Sequence, residues 1–301
     1  MVEATRLIKA SEVASFLGAH LFGEDVEIGA VVPMHQFRAG ALSFATTYSP
    51  EVERALNCHE QGFAVVGDEF KGKLVCAYVV SDAPRLDFLR ILKEFYAFPR
   101  PAGIHETAVI HAEARIGNDV SIGSGCYIGP HVTIGDGSEI HHGVVIDGET
   151  RLGRRCVVKS NAVIGEEGFG FAFDEFGKPE HFPHIGKIDI ADDVWIGACT
   201  TIERATIDVT LLDANVKVDD FVQIGHNCRV GRNTLVMAGS ILCGGSVVME
   251  GCWIAPNTLI REKVTIGANA YTGLGSVVIS DVEKNTVVVG NPAKLLRRRD
   301  A

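Results

Sequence analysis

Three absences narrow the classes of protein to which this sequence can belong. The 301-residue chain has no excess of basic residues, and its net charge of −10 argues against nucleic acid as a partner. It contains no run of 18 apolar residues, which a membrane-spanning helix would need. Its eight cysteines form no Cys-x-x-Cys pair, and we interpret them as reduced, mostly buried side chains of a cytoplasmic protein.

Two further absences concern targeting and metals. The N-terminus has no long apolar segment ahead of a small-residue cleavage site, which predicts no signal peptide. No group of His, Cys and Asp has the spacing of metal ligands, so we expect no metal.

What the sequence does contain is an aliphatic residue at every sixth position. Eleven consecutive matches run from Ile104 to Ile164, and the pattern resumes at Ile190. After a shift of four residues, it continues from Leu212 to Ile266. Neither an α-helix nor an open sheet has this period. The repeat predicts a parallel β-helix of triangular coils, about 18 residues each and about 4.8 Å apart, with the aliphatic residues inside. Glycine often follows the aliphatic residue directly, and we expect these glycines to adopt positive φ at the corners.

The repeat also divides the chain. Residues 1–98 lack it and have short strand-like and helix-like segments, which predict a small α/β domain. The β-helix is predicted over 104–280, interrupted by a long loop at 165–189, and 281–301 is predicted to end in a short helix. The predicted fold class is therefore mainly β, with a small α/β domain and a short C-terminal helical tail.

A candidate catalytic group lies inside the repeat, in the segment VDDFVQIGHN. His226 follows the inward Ile224 by two residues, which places it at or near a corner. Asp219 lies seven residues earlier and could meet the imidazole, leaving one ring nitrogen free as a base. Gly244 lies 18 residues later, one coil above, where its N–H could face an oxyanion. The alternative is a surface histidine without a catalytic role.

Two sets of motifs resemble known families. The hexads resemble the left-handed β-helix of the hexapeptide acyltransferases, which implies that hand and a homotrimer. The segments IGEEGFGFAFDEFG, PHIGKIDIADDVWIGACTTIERATID and QIGHN resemble the UDP-3-O-acylglucosamine N-acyltransferases of lipid A assembly. This resemblance implies that His226 is a general base, Asp219 its partner and the Gly244 N–H the oxyanion donor.

The same resemblance implies substrate contacts. The segment GALSFATTYSPEVERAL is similar to the family's uridine-binding segment, which implies that Phe44 stacks on uracil, with Tyr48 nearby. The alternative for Phe44 is a core residue of a strand. Gln223 and Asn227 flank His226 and are expected to bind substrate. Lys263 stands where the family usually has a second histidine, and could hold a diphosphate.

The C-terminal segment departs from the family. The helices with which the family engages an acyl carrier protein are absent or much reduced, and GNPAK resembles the end of acetyl-CoA-dependent sugar acetyltransferases. Lys294, Arg297 and Arg298 are predicted to contact the phosphates of CoA or an acidic carrier protein. The alternative is a solvated basic tail.

These features predict transfer of an acyl group from a phosphopantetheine thioester, on acyl carrier protein or CoA, to the amine of a nucleotide-linked amino sugar. No permanently bound cofactor is expected. An acetyl-CoA-dependent nucleotide-sugar N-acetyltransferase and a non-enzymatic β-helix scaffold remain as alternatives. Weaker candidates are the pair His141 and His142, and the loop residues His181 and His184, for which a solvated position is expected.

Overall fold

The computed structural model describes residues 2–97 and 102–299. The chain forms two compact units, divided between Pro99 and Arg100, so most of the predicted linker lies outside the described residues. Within the described ranges, no helix combines the length and the apolar character that crossing a bilayer requires.

The N-terminal unit is a six-stranded mixed sheet with helices on both faces. Its elements are β1 (Val2–Lys9), α1 (Ala10–Leu17), β2 (Leu21–Phe22), β3 (Glu27–Val31), β4 (Ala41–Ala45), α2 (Pro50–Asn57), β5 (Phe63–Val66), β6 (Ala77–Val80) and α3 (Pro84–Ile91). The strand order is β1-β3-β4-β5-β6-β2, in which β3 to β6 are parallel and the two edge strands are antiparallel. Helices α1 and α3 pack on one face and α2 on the other. Because β5 is covered on both faces, its sequence FAVV is apolar throughout.

The C-terminal unit is a left-handed parallel β-helix, which confirms the predicted fold class. Sheet 1 contains β7 (Gly103–Ile104), β10 (Ser121–Ile122), β13 (Glu139–Ile140), β16 (Val157–Val158), β21 (Trp195–Ile196), β24 (Lys217–Val218), β27 (Leu235–Val236), β30 (Trp253–Ile254), β33 (Tyr271–Thr272), β35 (Thr286–Val289) and β36 (Lys294–Arg298). Sheet 2 contains β8 (Val109–Ile110), β11 (Tyr127–Ile128), β14 (Val145–Ile146), β17 (Val163–Ile164), β22 (Thr201–Ile202), β25 (Gln223–Ile224), β28 (Ile241–Leu242), β31 (Leu259–Ile260) and β34 (Val277–Val278). Sheet 3 contains β9 (Arg115–Ile116), β12 (Thr133–Ile134), β15 (Thr150–Leu152), β20 (Lys187–Ile190), β23 (Val209–Leu212), β26 (Arg229–Val230), β29 (Val247–Val248) and β32 (Thr265–Ile266).

The six-residue repeat forms the core of the β-helix. Ile128 pairs with Ile146 in the next coil, and Ile146 pairs with Ile164 in the coil after that. All three side chains are fully buried. Each inward aliphatic side chain therefore contacts its counterparts in the coils above and below. This stacking explains why the six-residue period recurs along the chain.

The glycines that follow the aliphatic residues do so for a reason other than the predicted one. Gly135 directly follows Ile134, and a Cβ built on it would lie 2.6 Å from the backbone of Gly153 in the next coil. Close approach of backbones therefore requires glycine there. Positive φ occurs two residues later, for example at Gly137 and Asn227.

The predicted C-terminal helix is wrong. Strand β35 joins the end of sheet 1, and β36 pairs with it antiparallel. The run of β-branched residues in TVVV favours a strand. The last coil also leaves open backbone groups at the edge of the sheet, and pairing with β36 satisfies those of β35.

We expect Ile134→Ala to lower the free energy of unfolding by about 2–5 kcal/mol, because it leaves a cavity in the stacked core. Thr133→Ala is the matched control, since Thr133 lies in the same strand and points outward, and it should cost well under half as much. Urea denaturation of both variants measures the difference. Equal losses of stability in the two variants would contradict the conclusion that Ile134, and not Thr133, packs in the core.

Candidate active site

One corner of the β-helix carries every departure from the regular coil near His226. Strands β17, β22, β25 and β28 are successive neighbours in sheet 2, so the residues after them reach the same corner in successive coils. The loop over 165–186 follows β17, and the segment 203–208 follows β22. His226 follows β25 and Gly244 follows β28. The two insertions therefore lie directly below the candidate base.

The tautomer of His226 follows from its hydrogen bonds. Its Nδ1 lies 3.0 Å from Oδ1 of Asn227 and 3.3 Å from Oγ1 of Thr206. The Asn227 amide has a defined orientation, because Oδ1 accepts from the Thr206 N–H at 3.0 Å and Nδ2 donates to the Ile207 carbonyl at 2.8 Å. Since Oδ1 can only accept, Nδ1 of neutral His226 donates. Nε2 therefore carries the lone pair.

Gly244 lies against the nitrogen that is left free. A Cβ built on Gly244 would collide with Nε2 of His226 and lie 2.6 Å from Cε1, so no larger residue fits without displacing the ring. Among the described backbone hydrogen bonds, Gly245 donates to the His226 carbonyl, but the Gly244 N–H donates to none. The equivalent amide one coil below, that of His226, donates to Oε2 of Glu203 at 3.1 Å. Amides at this position can therefore donate to a negatively charged oxygen at the corner.

Asp219 does not pair with His226 within the chain. It follows β24 in sheet 1, whereas His226 follows β25 in sheet 2, so the two residues occupy different corners. Among the described residues, the Asp219 carboxylate makes no hydrogen bond to His226; its backbone bonds to Val236 and Thr200. The separation of seven residues corresponds to one side of the triangular coil, which places Asp219 one corner away. Its role as partner of the base is not supported within one chain.

Three polar residues at this corner were not predicted from the sequence. Glu203, Arg204 and Thr206 all lie in the segment that follows β22. Glu203 accepts from the His226 N–H and, through Oε1, from Nε2 of Gln223 at 3.0 Å. The sequence does carry a signal for this segment, since four extra residues separate Ile202 from Leu212. An expansion of the corner one coil below a candidate base marks residues that can contact it.

The loop between β17 and β20 folds back onto the corner. Its strands β18 (Phe171–Phe173) and β19 (Pro179–His181) form an antiparallel hairpin. Arg204 fixes the base of this loop, donating through Nε to the His184 carbonyl at 2.7 Å and through Nη1 to the Gly165 carbonyl at 3.1 Å. The expectation that both loop histidines are solvated is wrong for His184, which is 2% exposed, while His181 is exposed.

A third bond from Arg204 reaches Oε1 of Glu167 at 2.6 Å. This hydrogen bond holds the pKa of Glu167 below its ordinary value, and the charge of Arg204 adds to the effect. A lowered pKa means that the pair stabilises the folded loop above the ordinary glutamate pKa. The stabilisation is lost as the pH falls through the lowered pKa, when the carboxylate takes up a proton.

One group of side chains has the geometry of a metal site. Ligand atoms of Glu167, His181 and His184 lie within 4.8 Å of one another. Arg204 already neutralises the Glu167 carboxylate, and His181 contacts it at 3.1 Å. A guanidinium this close opposes the binding of a second cation. We therefore retain the expectation that the protein needs no metal.

The other predicted residues lie at different distances from His226. Lys263 occupies the same corner two coils above Asn227 and donates its backbone N–H to the Gly244 carbonyl. Lys294, Arg297 and Arg298 lie on β36, beyond the last coil. Four strand spacings separate β24 from β35 in sheet 1, or about 19 Å. The basic residues therefore lie outside the immediate surroundings of the base, and Arg298 pairs with Glu283 at 3.0 Å.

Phe44 and Tyr48 lie on opposite faces of the N-terminal sheet. Phe44, half-buried in β4, packs against Phe88 with ring centroids 4.5 Å apart, on the face covered by α1 and α3. Tyr48 packs with Phe70 on the other face and donates its hydroxyl to Glu53. This hydrogen bond raises the pKa of Tyr48. The two rings do not form one stacking site within the unit.

The pair His141 and His142 lies far from His226 along the β-helix. Both residues line a cavity of about 610 Å³ near the first coils, together with His105. Nδ1 of His142 lies 3.1 Å from Oγ of Ser124. The cavity shares none of its lining residues with the corner that carries His226.

The β-helix of hexapeptide coils, with a histidine and an open amide at one corner, indicates an acyltransferase of the hexapeptide-repeat class. The family model for bacterial transferase hexapeptide (six repeats) matches residues 101–136 and 131–166. A UDP-3-O-acylglucosamine N-acyltransferase of Coxiella burnetii is 31% identical over 239 residues, which cover 73% of this chain and 69% of the relative. A protein of the same name from Herminiimonas arsenicoxydans is 29% identical over 308 residues, and the match covers 93% of this chain and 86% of the relative. The chain belongs to the UDP-3-O-acylglucosamine N-acyltransferase family.

Solved structures agree with the fold. LpxA from Acinetobacter baumannii superposes with a TM-score of 0.59 at 26% identity, covering 64% of this chain and 73% of that protein. The UDP-N-acetylglucosamine acyltransferase of Francisella novicida also gives 0.59 at 26% identity, covering 65% and 69%. Both matches cover about two thirds of the present chain, close to the share that the β-helix occupies.

We expect Arg204→Gln to speed chymotryptic cleavage after Phe176, an exposed residue in the turn of the hairpin, by about tenfold or more. The substitution removes charge-assisted hydrogen bonds worth about 1.5–3 kcal/mol each, so the loop opens more often. Arg229→Gln is the control, because Arg229 forms an exposed ion pair with Asp208 and does not contact the loop. Equal cleavage rates in wild type and Arg204→Gln would show that Arg204 does not hold the loop.

Proposed function

We propose that this N-acyltransferase moves an acyl group from a phosphopantetheine thioester to the amine of a nucleotide-linked amino sugar, with His226 as general base. The names of its relatives support UDP-3-O-acylglucosamine as the acceptor. The resemblance of its motifs to that family supports lipid A assembly as the pathway. The observation that carries the proposal is the free Nε2 of His226 next to the open N–H of Gly244.

In the proposed reaction, the sugar amine attacks the thioester carbonyl carbon and forms the new C–N bond. The carbonyl oxygen becomes an oxyanion, to which the Gly244 N–H donates a hydrogen bond. Nε2 of His226 takes the proton that the amine loses. Collapse of the tetrahedral intermediate breaks the C–S bond, and the thiolate leaves with the proton from His226. Atoms and charge balance without a metal, an oxidant or a permanently bound cofactor.

Asn227 takes the orienting role in this mechanism that the sequence analysis gave to Asp219. Its Oδ1 accepts from Nδ1 and so keeps the lone pair on Nε2. Asparagine also suits the backbone here, because residue 227 has φ of 60°, a left-handed conformation that asparagine tolerates. Gln223, which was predicted to bind substrate, donates to Glu203 at this corner.

The outer surface of sheet 2 supports a homotrimer with sites between subunits. Its outward residues are largely apolar, and Val109, Tyr127 and Ile241 are 61, 37 and 36% exposed. An apolar face of this kind is costly to leave in water and marks an interaction surface. His226 follows a strand of this sheet, so an adjacent subunit would form one wall of its cleft. Asp219 of that subunit remains a candidate for a second contact.

The remaining binding roles stay proposals of the same kind. The N-terminal unit would hold the nucleotide, with Phe44 as the ring on which uracil stacks, and Lys263 would contact the diphosphate. Lys294, Arg297 and Arg298 would contact phosphates of the donor, whose extended pantetheine arm would span the coils down to His226. A cytoplasmic location agrees with the cysteines, none of which pairs within the described residues.

The alternative donor is acetyl-CoA. Over 281–299 the described residues form strands β35 and β36. The similarity of GNPAK in this segment to the end of acetyl-CoA-dependent sugar acetyltransferases supports this alternative. A nucleotide-sugar N-acetyltransferase would use the same base and the same amide.

We expect His226→Ala to lower kcat by about 10²- to 10⁴-fold, the usual contribution of a general base. His131→Ala is the control, because His131 is an exposed histidine of the same β-helix. Acyl transfer to UDP-3-O-acylglucosamine, followed by mass spectrometry of the product, measures both. Turnover of His226→Ala close to that of wild type would remove the base assignment.

We expect turnover with acyl thioesters of acyl carrier protein and little with acetyl-CoA. The reason is that the relatives are named as N-acyltransferases of an acylated sugar nucleotide, not as acetyltransferases. The measurement compares kcat/KM for the two donors at fixed acceptor concentration. A preference for acetyl-CoA would contradict this expectation and support the alternative.

A further inference from the structure

The cavity of about 610 Å³ near the first coils takes no part in the proposed acyl transfer. It lies at the corner that follows sheet 1, whereas His226 lies at the corner that follows sheet 2. Ser160, the lining residue closest to His226 along the β-helix, belongs to a coil two strand spacings, or about 10 Å, below that of His226. The cavity is therefore a separate site, and its volume suits a small organic molecule.

Two histidines of the cavity have a defined tautomer. Nδ1 of His105 accepts from the Thr107 N–H at 3.2 Å, and Nδ1 of His142 accepts from the Ser124 N–H at 3.2 Å. A backbone N–H can only donate, so in each neutral ring Nδ1 carries the lone pair and Nε2 carries the proton. Among the described residues, neither Nε2 makes a hydrogen bond. Each ring therefore has one N–H donor left for a ligand.

Serine and backbone groups add to these donors. Ser121 and Ser160 also line the cavity, and neither hydroxyl bonds to another described residue. The Ser160 backbone N–H donates to no described group. Its equivalent one coil above, the Ala198 N–H, donates to Oδ1 of Asp220 at 2.7 Å. An amide at this corner can therefore bind a carboxylate oxygen, and the amide of Ser160 is open to an external one.

The lining of the cavity has no negative charge to oppose an anion. None of the described residues that line it is Asp or Glu, although the chain contains 38 acidic residues. Histidines can also hold a metal, but the described residues whose ligand atoms converge are those at 167, 181 and 184, none of which lines this cavity. A set of donors without an acid and without the geometry of a metal site favours an anion.

One side of the cavity is apolar. Ile104, in the end strand β7 of sheet 1, is 52% exposed, whereas its counterparts Ile122 and Ile140 in the next two coils are 2 and 1% exposed. Sheet 1 has no strand beyond β7, so the inward aliphatic residue of this coil remains accessible. A ligand with an apolar part would remove this side chain from water, which is favourable.

We propose that the cavity binds an organic anion, a phosphate or a carboxylate that carries an apolar group. The Nε2–H groups of His105 and His142 and the backbone N–H of Ser160 donate to the anion oxygens, and Ile104 contacts the apolar group. This site is independent of the acyl transfer proposed above, because binding to it involves neither the acyl donor nor His226.

The experiment titrates the full chain with hexyl phosphate, hexanoate and 1-hexanol at about pH 8, where an ordinary imidazole is neutral. The three probes share one apolar chain and differ in the head group, and isothermal titration calorimetry gives the Kd of each. We expect at least one anion to bind about tenfold or more tightly than 1-hexanol, because hydrogen bonds to a charged group are the stronger ones. The tighter anion identifies the head group.

Substitutions of single histidines locate the binding. His105→Asn and His142→Asn keep an acceptor oxygen in place of Nδ1 but remove the Nε2–H donor, so each should raise the Kd of the anion about tenfold. His142→Gln places an amide donor near the position of Nε2 and should keep the Kd within about threefold of wild type. His111→Asn is the matched control, because Nδ1 of His111 accepts from the Glu113 N–H at 3.2 Å in the same way, yet His111 does not line the cavity.

Four outcomes overturn the proposal: no binding of either anion, equal Kd values for 1-hexanol and the anions, an unchanged Kd in both Asn variants of the cavity, or an equal loss in His111→Asn. Thermal unfolding verifies that each variant is folded. If a cavity variant does not fold, the ¹⁵N shifts of the wild-type His105 and His142 rings decide. Their Nε2 signals should move when the anion is added, and unchanged signals would also overturn the proposal.

Discussion

The hydrogen bond between Nδ1 of His226 and Oδ1 of Asn227 determines which ring nitrogen is free, and the proposed chemistry depends on it. Two further bonds to the Asn227 amide prevent the amide from turning over and offering its NH2 group instead. A turned amide would move the lone pair of His226 to Nδ1, away from Gly244. A neutral side chain therefore does here what a carboxylate does in many catalytic histidine pairs.

The β-helix makes this small arrangement rigid. Stacked coils fix the Cα positions of residues 226 and 244 one strand spacing apart, with no flexible segment between them. The same regularity brings all the insertions to one corner, because each follows a strand of sheet 2. A uniform scaffold thus supplies precise spacing, and the irregular segments 165–186 and 203–208 supply the side chains that modify the base.

The sequence predicted the β-helix because its cause is local: one aliphatic residue per six, each stacked on the next. The proximity of His226 to Gly244 was also predictable, since residues 18 apart lie in adjacent coils. The spacing also placed Asp219 one corner from His226, but it could not tell whether the two side chains meet, and within one chain they do not form a hydrogen bond. The prediction of a C-terminal helix was wrong because the open edge of sheet 1 favours strand β36. This edge is a tertiary feature that the local sequence does not reveal.

His184 and Glu203 could not be placed from sequence, since insertions break the period that assigns positions. The orientation of Asn227 could not be predicted either, because it depends on the Thr206 and Ile207 backbone of the expanded corner. The most direct measurement is the pair of ¹⁵N chemical shifts of the neutral His226 ring. The account predicts a protonated Nδ1 and an unprotonated Nε2. A neutral ring with its proton on Nε2 would contradict it.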